Sequence, residues 1–252
     1  MREIVKTQLP YEIAPLASNL PALEHAITRC VACPRLREYC QTVAQTKIKR
    51  FAQDTYWGKP APGFGDSRAA TLIVGLAPAA HGANRTGRLF TGDRSGDVLY
   101  AGLHRAGFGS QAAAVSKDDG LVLTGVYISA AARCAPPENR PTPAELAACR
   151  AFLRREIELL EQMQVVLALG AVAHQAAWLA LTASEAPRMP KFGHGSEQTV
   201  VFTGPLGRKA VTLLDCYHVS QRNTFTGLLT TAMLDEVLKR ARQLSGGPAM
   251  GS

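Results

Sequence analysis

Four of the six cysteines in this chain fall into a spacing that suits a metal or a cluster. Cys30 and Cys33 are separated by two residues, and Cys134 and Cys149, about a hundred positions later, by fourteen. Thiolates so arranged can converge on one centre, and four of them hold either tetrahedral zinc or an iron–sulfur cluster. Spacing leaves that choice open. A lone Cys-x-x-Cys also arises by chance or as a redox dithiol, but two pairs in one chain weaken that explanation. The second pair has a stiff setting: residues 134–145 contain four prolines and lead into a helix that carries Cys149.

Two loops add further chemistry. Residues 75–93 hold four glycines and one proline among polar groups, including His81, Asn84, Arg85 and Asp93, with Phe90 between them. Glycine lets backbone amides approach and surround a ligand. The loop is neither a Walker A sequence nor a Gly-x-Gly-x-x-Gly fingerprint, and it lacks the lysine of a P-loop. Asp93 has a plainer role as the cap of the next helix, which leaves His81, Asn84 and Phe90 unexplained. The second loop, 215–227, begins just past an apolar run and carries His218, Gln221, Arg222 and Asn223. A histidine at a strand end is placed to donate a hydrogen bond or carry charge near neutral pH.

These loops need elements to position them. Apolar segments at 70–74, 126–130, 165–169 and 210–214 are short and do not alternate, as expected of parallel strands covered on both faces. Residues 198–202 read as an extra edge strand. Helices are predicted over 96–106, 171–181 and 227–244. Another starts at Thr142, where a capping box meets proline at the first helical position. From there Leu146, Cys149, Leu153, Ile157 and Leu160 recur at helical intervals, turning Cys149 inward. The alternation predicts an α/β three-layer sandwich with a mainly parallel sheet of about four strands. In such sheets sites gather beyond the carboxyl ends of the strands.

The 252 residues suit a single domain over 1–244, with 245–252 a tail of no assigned function. No apolar run is long enough to cross a membrane, and the first residues lack a signal-peptide pattern. Sparse cysteines fit a reducing cytoplasm. The formal net charge of +8 favours a polyanionic partner.

The residues of both loops resemble the uracil-DNA glycosylase superfamily, in particular its iron–sulfur family 5, or type B. Residues 75–93 are similar to that family's first motif, His218 to Asn223 to its histidine-bearing second motif, and the four cysteines to its cluster ligands. The resemblance spans roughly residues 30–230. It implies a [4Fe–4S] cluster on Cys30, Cys33, Cys134 and Cys149, tying the N-terminal segment to the proline-rich loop, with Cys40 and Cys216 as ordinary buried thiols. It implies that Phe90 stacks on an extruded base, that His218 stabilises the leaving uracil anion, and that Asp93 assists water or the sugar cation. Gly75, Ala77, His81 and Asn139 would line the base pocket. Asn84, Arg85, Arg140, Gln221, Arg222 and Asn223 would contact DNA. Two positions depart from the wider superfamily: Ala77 where many relatives carry a carboxylate, and Ala130 where they carry a base-reading asparagine. Both departures are typical of family 5.

The implied enzyme is a monofunctional glycosylase of base excision repair. It would flip uracil, and other deaminated bases such as hypoxanthine, out of double-stranded DNA and leave an abasic site. No lysine stands out as a nucleophile. A prokaryotic, cytoplasmic, nucleoid-associated monomer is expected. Two other readings remain: a metal-cluster nucleic-acid adaptor without activity, and a relative that captures uracil without turnover. The adaptor explains the cysteines and the charge but not Phe90, Asp93 and His218. Capture would favour an arginine-rich insertion after the first motif, which the chain lacks.

Overall fold

The structure is a computed structural model that describes residues 9–182 and 188–246. Residues 247–252 of the expected tail lie outside the described residues. Among those described, six strands form one sheet: β1 (Phe64–Gly65), β2 (Thr71–Gly75), β3 (Val126–Ala130), β4 (Val165–Leu169), β5 (Glu197–Gly204) and β6 (Gly207–Cys216). Their order is β1-β3-β2-β4-β6-β5. The four inner strands are parallel, as the unbroken apolar runs require, whereas β1 and β5 pair antiparallel at the two edges. The sheet thus has six strands rather than about four. The two-residue β1 is too short to show a pattern, and β5 and β6 form a hairpin whose half-exposed end hides its length.

The helices are α1 (Pro10–Ile13), α2 (Leu20–Thr28), α3 (Pro34–Thr46), α4 (Ala83–Thr86), α5 (Arg94–Arg105), α6 (Pro143–Leu159), α7 (Ala171–Thr182), α8 (Gln221–Phe225) and α9 (Thr231–Leu244). The helix expected over 227–244 begins only at Thr231, after the separate α8. The Thr142 capping box is present, with the hydroxyl accepting from Glu145 N and the Glu145 carboxylate from Thr142 N.

Alternation along the inner strands divides the core. Ile73, Ile128, Leu167 and Leu214 face α5 and α9 through Leu99, Leu103, Leu234 and Leu238. Leu72, Val74, Val166 and Leu213 face α6 and α7 through Leu153, Ile157, Ala177 and Trp178. This makes three layers. A smaller cluster of Ala14, Leu23, Ile27 and Phe152 seats the N-terminal helices on α6. Leu36, Cys40, Cys134 and Ala135 seat α3 on the proline-rich loop.

The strand order reverses at β2: β3 lies on one side of it and β4 on the other. Chain that leaves β2, β3 and β6 therefore opens on one edge, where a crevice is expected. Past the end of β2 and β3, Ala131 N donates to Gly75 O and Ala132 N to Leu76 O, both at 2.9 Å, which carries the pairing into the loops.

Candidate active site

A cavity of about 700 Å³ opens at this edge of the sheet. Its wall combines three distant segments: the loop after β2 (Ala77, His81, Phe90, Asp93), the proline-rich loop (Pro136, Glu138, Asn139) and the chain after β6 (His218, Gln221, Arg222). Eight of the residues singled out from sequence meet there.

Close packing explains the glycines of the first loop. A Cβ on Gly75 would stand 2.6 Å from the Phe90 ring. One on Gly82 would collide with Asp93 Oδ2. Gly75 thus supports Phe90 from beneath without lining the cavity. The Phe90 backbone is left-handed, with φ 53°, which a non-glycine residue adopts only when its surroundings enforce it. The enforcement is visible: Arg88, buried, donates to Thr91 Oγ1 at 2.9 Å and makes two bonds of 2.9 and 2.7 Å to Asp119.

Asp93 has two duties. Its Oδ1 accepts from Gly96 N at 2.9 Å and caps α5, as its plainer role predicts. Its carboxylate also lines the cavity beside Gly82. Burial raises its pKa above the ordinary carboxylate value, and the amides of Gly96 and Ser95 draw it part of the way back. Across the cavity the Phe90 and His218 rings lie 6.4 Å apart at 35°. Burial lowers the His218 pKa, so its imidazole is neutral at neutral pH. His81 is held neutral too, by burial and then by Arg85, with the Tyr56 hydroxyl 3.0 Å from its Nδ1.

Three residues expected on DNA are committed elsewhere. Asn84 is buried, and its amide donates to Cys40 O at 3.2 Å, joining the loop to α3. Arg85 bonds His81 O, Gly92 O and Asp54, at 2.8, 3.1 and 2.7 Å, and stacks on Phe51. Asn223 donates to His218 O at 2.9 Å. These three brace the walls. Gln221, Arg222 and Asn139 are exposed at the rim, whereas Arg140, also exposed, does not line the cavity. Asn139 and Glu138 are both left-handed, with φ of 56° and 54°; asparagine tolerates that conformation, whereas glutamate gains nothing from it.

Sequence reasoning missed the contribution of residues 39–51. Tyr39, Arg50 and Phe51 close one side of the cavity. The available signal was the basic run at 47–50 followed directly by an aromatic. It also missed Phe225 at the end of α8, which is 79% exposed although aromatic.

The cysteines lie behind the proline-rich loop. Cys134 and Cys149 are buried, Cys30 and Cys33 half-buried, and all four are free thiols. Burial first, with the neighbouring Cys134 adding to it, pushes Cys149 up to about 12 and Cys33 up to about 11. Cys40, expected to be a bystander, has its thiol against Cys134. Among the described residues, no three His, Cys, Asp or Glu side chains form a group suited to one metal ion. Next to Cys149, Arg133 is fully buried and pairs with Glu156, yet its Nε and Nη1 have no partner. Donors left unpaired in a protein interior are costly. They suit an acceptor-rich group such as thiolates and sulfides, and this is the feature of the site that fits a cluster.

An α/β sheet with a polar crevice at its switch point defines, in outline, a protein that binds a ligand beyond the carboxyl ends of its strands. Comparison with known proteins gives the family. Residues 62–242 match the model of the uracil DNA glycosylase superfamily. The chain is similar to the type-5 uracil-DNA glycosylase of Mycobacterium tuberculosis, at 49% identity, with 91% of this chain and 83% of that protein aligned. Its counterpart in Mycobacterium leprae is 48% identical over 91% and 97% of the two chains, and that of Thermus thermophilus 46% over 89% and 98%. The chain belongs to the uracil DNA glycosylase superfamily. Its enzymatic class is that of a uracil-DNA glycosylase, acting on DNA.

Proposed function

We propose that the protein removes uracil from double-stranded DNA by simple hydrolysis of the N-glycosyl bond, leaving an abasic site. The observation that carries this reading is the meeting of Phe90, Asp93 and His218 on the wall of one cavity. A base inside a duplex is unreachable and must be rotated out at a cost of a few kcal/mol. Phe90, propped by Gly75 and locked by its loop, offers a flat face for the extruded pyrimidine. Bond breaking leaves negative charge on uracil and positive charge on the sugar. Neutral His218 supplies an N–H to the departing anion without having to carry charge itself, and such a preorganised donor is commonly worth about 10²–10³ in rate. Asp93, with one oxygen anchored by the helix it caps, holds its carboxylate where a sugar cation or an attacking water would need it.

Lysine is absent from the cavity lining among the described residues, which supports hydrolysis without an amine nucleophile. Phe225, exposed beside Arg222, is the apolar group best placed to fill the gap left in the stack. Ala130, buried at the end of β3 in register with Gly75, cannot hydrogen-bond a base edge. A pocket without that amide rejects fewer bases, because fewer buried polar groups are left unpaired by a mismatch. Release of a second deaminated base such as hypoxanthine follows, and Ala130→Asn narrows the range toward uracil.

A [4Fe–4S] cluster on Cys30, Cys33, Cys134 and Cys149 completes the proposal as a structural tie between the segment before α3 and the proline-rich loop. Thiols that burial holds neutral become thiolate ligands when iron is supplied, and Arg133 then gains acceptors. The isolated protein should be brown, with iron and sulfide near four each per chain. Colourless, active protein with stoichiometric zinc refutes the cluster. For the activity, duplexes with a single uracil or hypoxanthine are incubated with the protein and treated with alkali. Strand cleavage only after alkali supports hydrolysis. Cleavage without alkali indicates a lyase, and a protein–DNA adduct indicates capture.

A further inference from the structure

Behind His218 lies a second histidine that the reaction scheme leaves unused. His174, on α7, is 1% exposed, as is Asp215 near the end of β6. Its Nδ1 is 2.8 Å from Asp215 Oδ1, and its Nε2 is 3.0 Å from the carbonyl oxygen of Pro190. A carbonyl only accepts, and so does a carboxylate. A neutral imidazole has one N–H and one lone pair, so it cannot satisfy both neighbours. The geometry therefore requires one proton more than a neutral histidine and a carboxylate hold together. That proton lies between Nδ1 and Asp215, while Nε2–H is donated to Pro190.

The pair grips the stretch of chain that delivers His218. Asp215 is three residues upstream of it, and Asp215 Oδ2 also accepts from Gly193 N at 3.3 Å. Gly195 N donates to Asp215 O, and Asp215 N to Ser196 O, at 2.8 and 2.9 Å. Tyr217 N donates to His194 Nδ1 at 3.1 Å, and the two rings stack at 4.8 Å. On the α7 side, Gly170 N donates to Cys216 O at 2.8 Å, and a Cβ on Gly170 would stand 3.2 Å from the Cβ of His218. Residues 190–196 and the start of α7 are thus clamped around the end of β6, with His174 at the junction of all three.

We propose that His174, through the proton it shares with Asp215, is the positioning residue for His218. The proposal rests on the role given to His218 above, since a clamp matters to the rate only if the residue it places matters. Misplacing a catalytic group by about 1 Å can cost up to about 10²-fold in rate without weakening binding.

The test is a double-mutant cycle in single-turnover excision on a uracil-containing duplex. His174→Gln should lower the rate tenfold or more with an unchanged Kd, and should cost little further in a His218→Ala background. An unchanged rate overturns the proposal, and so does a loss of the same size in both backgrounds. If His218→Ala itself is fully active, the reading of His218 fails instead. Should His174→Gln not fold, imidazole nitrogen NMR on the wild-type protein at about pH 8 decides, because a free histidine there has a single N–H. Protons at both His174 nitrogens, or one at Nε2 with a protonated Asp215, support the clamp. A bare Nε2 overturns it.

Discussion

At the scale of single residues, the site works by burial and by shared duties. His218 loses solvent and stays neutral, so protonating it adds a charge the pocket does not hold well. Asp93 is raised by burial, so its carboxylate form is also lost earlier on acidification than that of an exposed aspartate. The two shifts are opposite, His218 keeping its active form further into acid and Asp93 losing its own sooner, but protonating either group lowers activity. Single-turnover excision should be flat above the ordinary histidine value of about 6.5 and fall only as pH drops below it. A rate that rises on acidification would mean that imidazolium is the active form. His218→Ala should slow excision by about 10²–10³-fold while duplex affinity stays within twofold; equal losses in both would point to a binding role. Asp93 needs a choice of variant. Asn keeps the cap of α5 and removes the charge, whereas Ala removes both and costs about 1 kcal/mol of stability in addition.

At the scale of elements, the first loop is held by groups that sequence order does not connect. Arg88 and Asp119 are 31 positions apart and form a bidentate, buried pair. Burial alone would raise Asp119. The guanidinium and the amides of Leu121, Val115 and Ser116 outweigh that and hold its carboxyl well below the usual range. A depressed carboxylate pKa contributes stability above the unfolded value of about 3.9, and that contribution is lost as pH falls below it. Asp119→Asn leaves Arg88 buried and unpaired, and should cost about 3–5 kcal/mol at neutral pH. Urea denaturation checks this, and the gap from wild type should shrink on acidification. The four inner strands and the Thr142 cap were legible because each is a local pattern. The commitments of Asn84, Arg85 and Asn223 were not. Each is polar and reads as surface, and only tertiary contacts across 44, 31 and 5 positions turn it inward. The pair of His174 and Asp215, 41 positions apart, was illegible for the same reason.

At the scale of the molecule, the segments that line the cavity share one edge of the sheet, and the wall there carries Arg50, Arg94 and Arg222. These cations add local positive charge at the cavity to the formal net charge of +8 of the whole chain. Counterion release makes affinity fall with salt by a log–log slope of about 0.9 per phosphate neutralised. Arg222→Ala should reduce that slope by about 0.9 and weaken undamaged and uracil-containing duplexes alike; an unchanged slope would take α8 off the backbone. The basic balance of the chain gave the class of partner early. It could not give the side of approach, because the 3-10 turn after α3, Lys49–Phe51, that adds Arg50 and Phe51 to the wall carries no functional motif of its own.

Glu138 is the odd member of that wall. Its backbone is left-handed, its side chain is 80% exposed, and among the described residues its ion-pair partner is Arg140 at 3.8 Å. It therefore costs stability, and its carboxylate faces a polyanion. Glu138→Gly should raise the unfolding free energy by about 1 kcal/mol and tighten duplex binding at low salt. The gain has a kinetic cost. An enzyme that grips DNA harder also lets go of its abasic product more slowly, so multiple-turnover rates should fall in this variant while the single-turnover rate stays as it was. A multiple-turnover rate that does not fall in Glu138→Gly would show that this carboxylate does not shorten residence on the product.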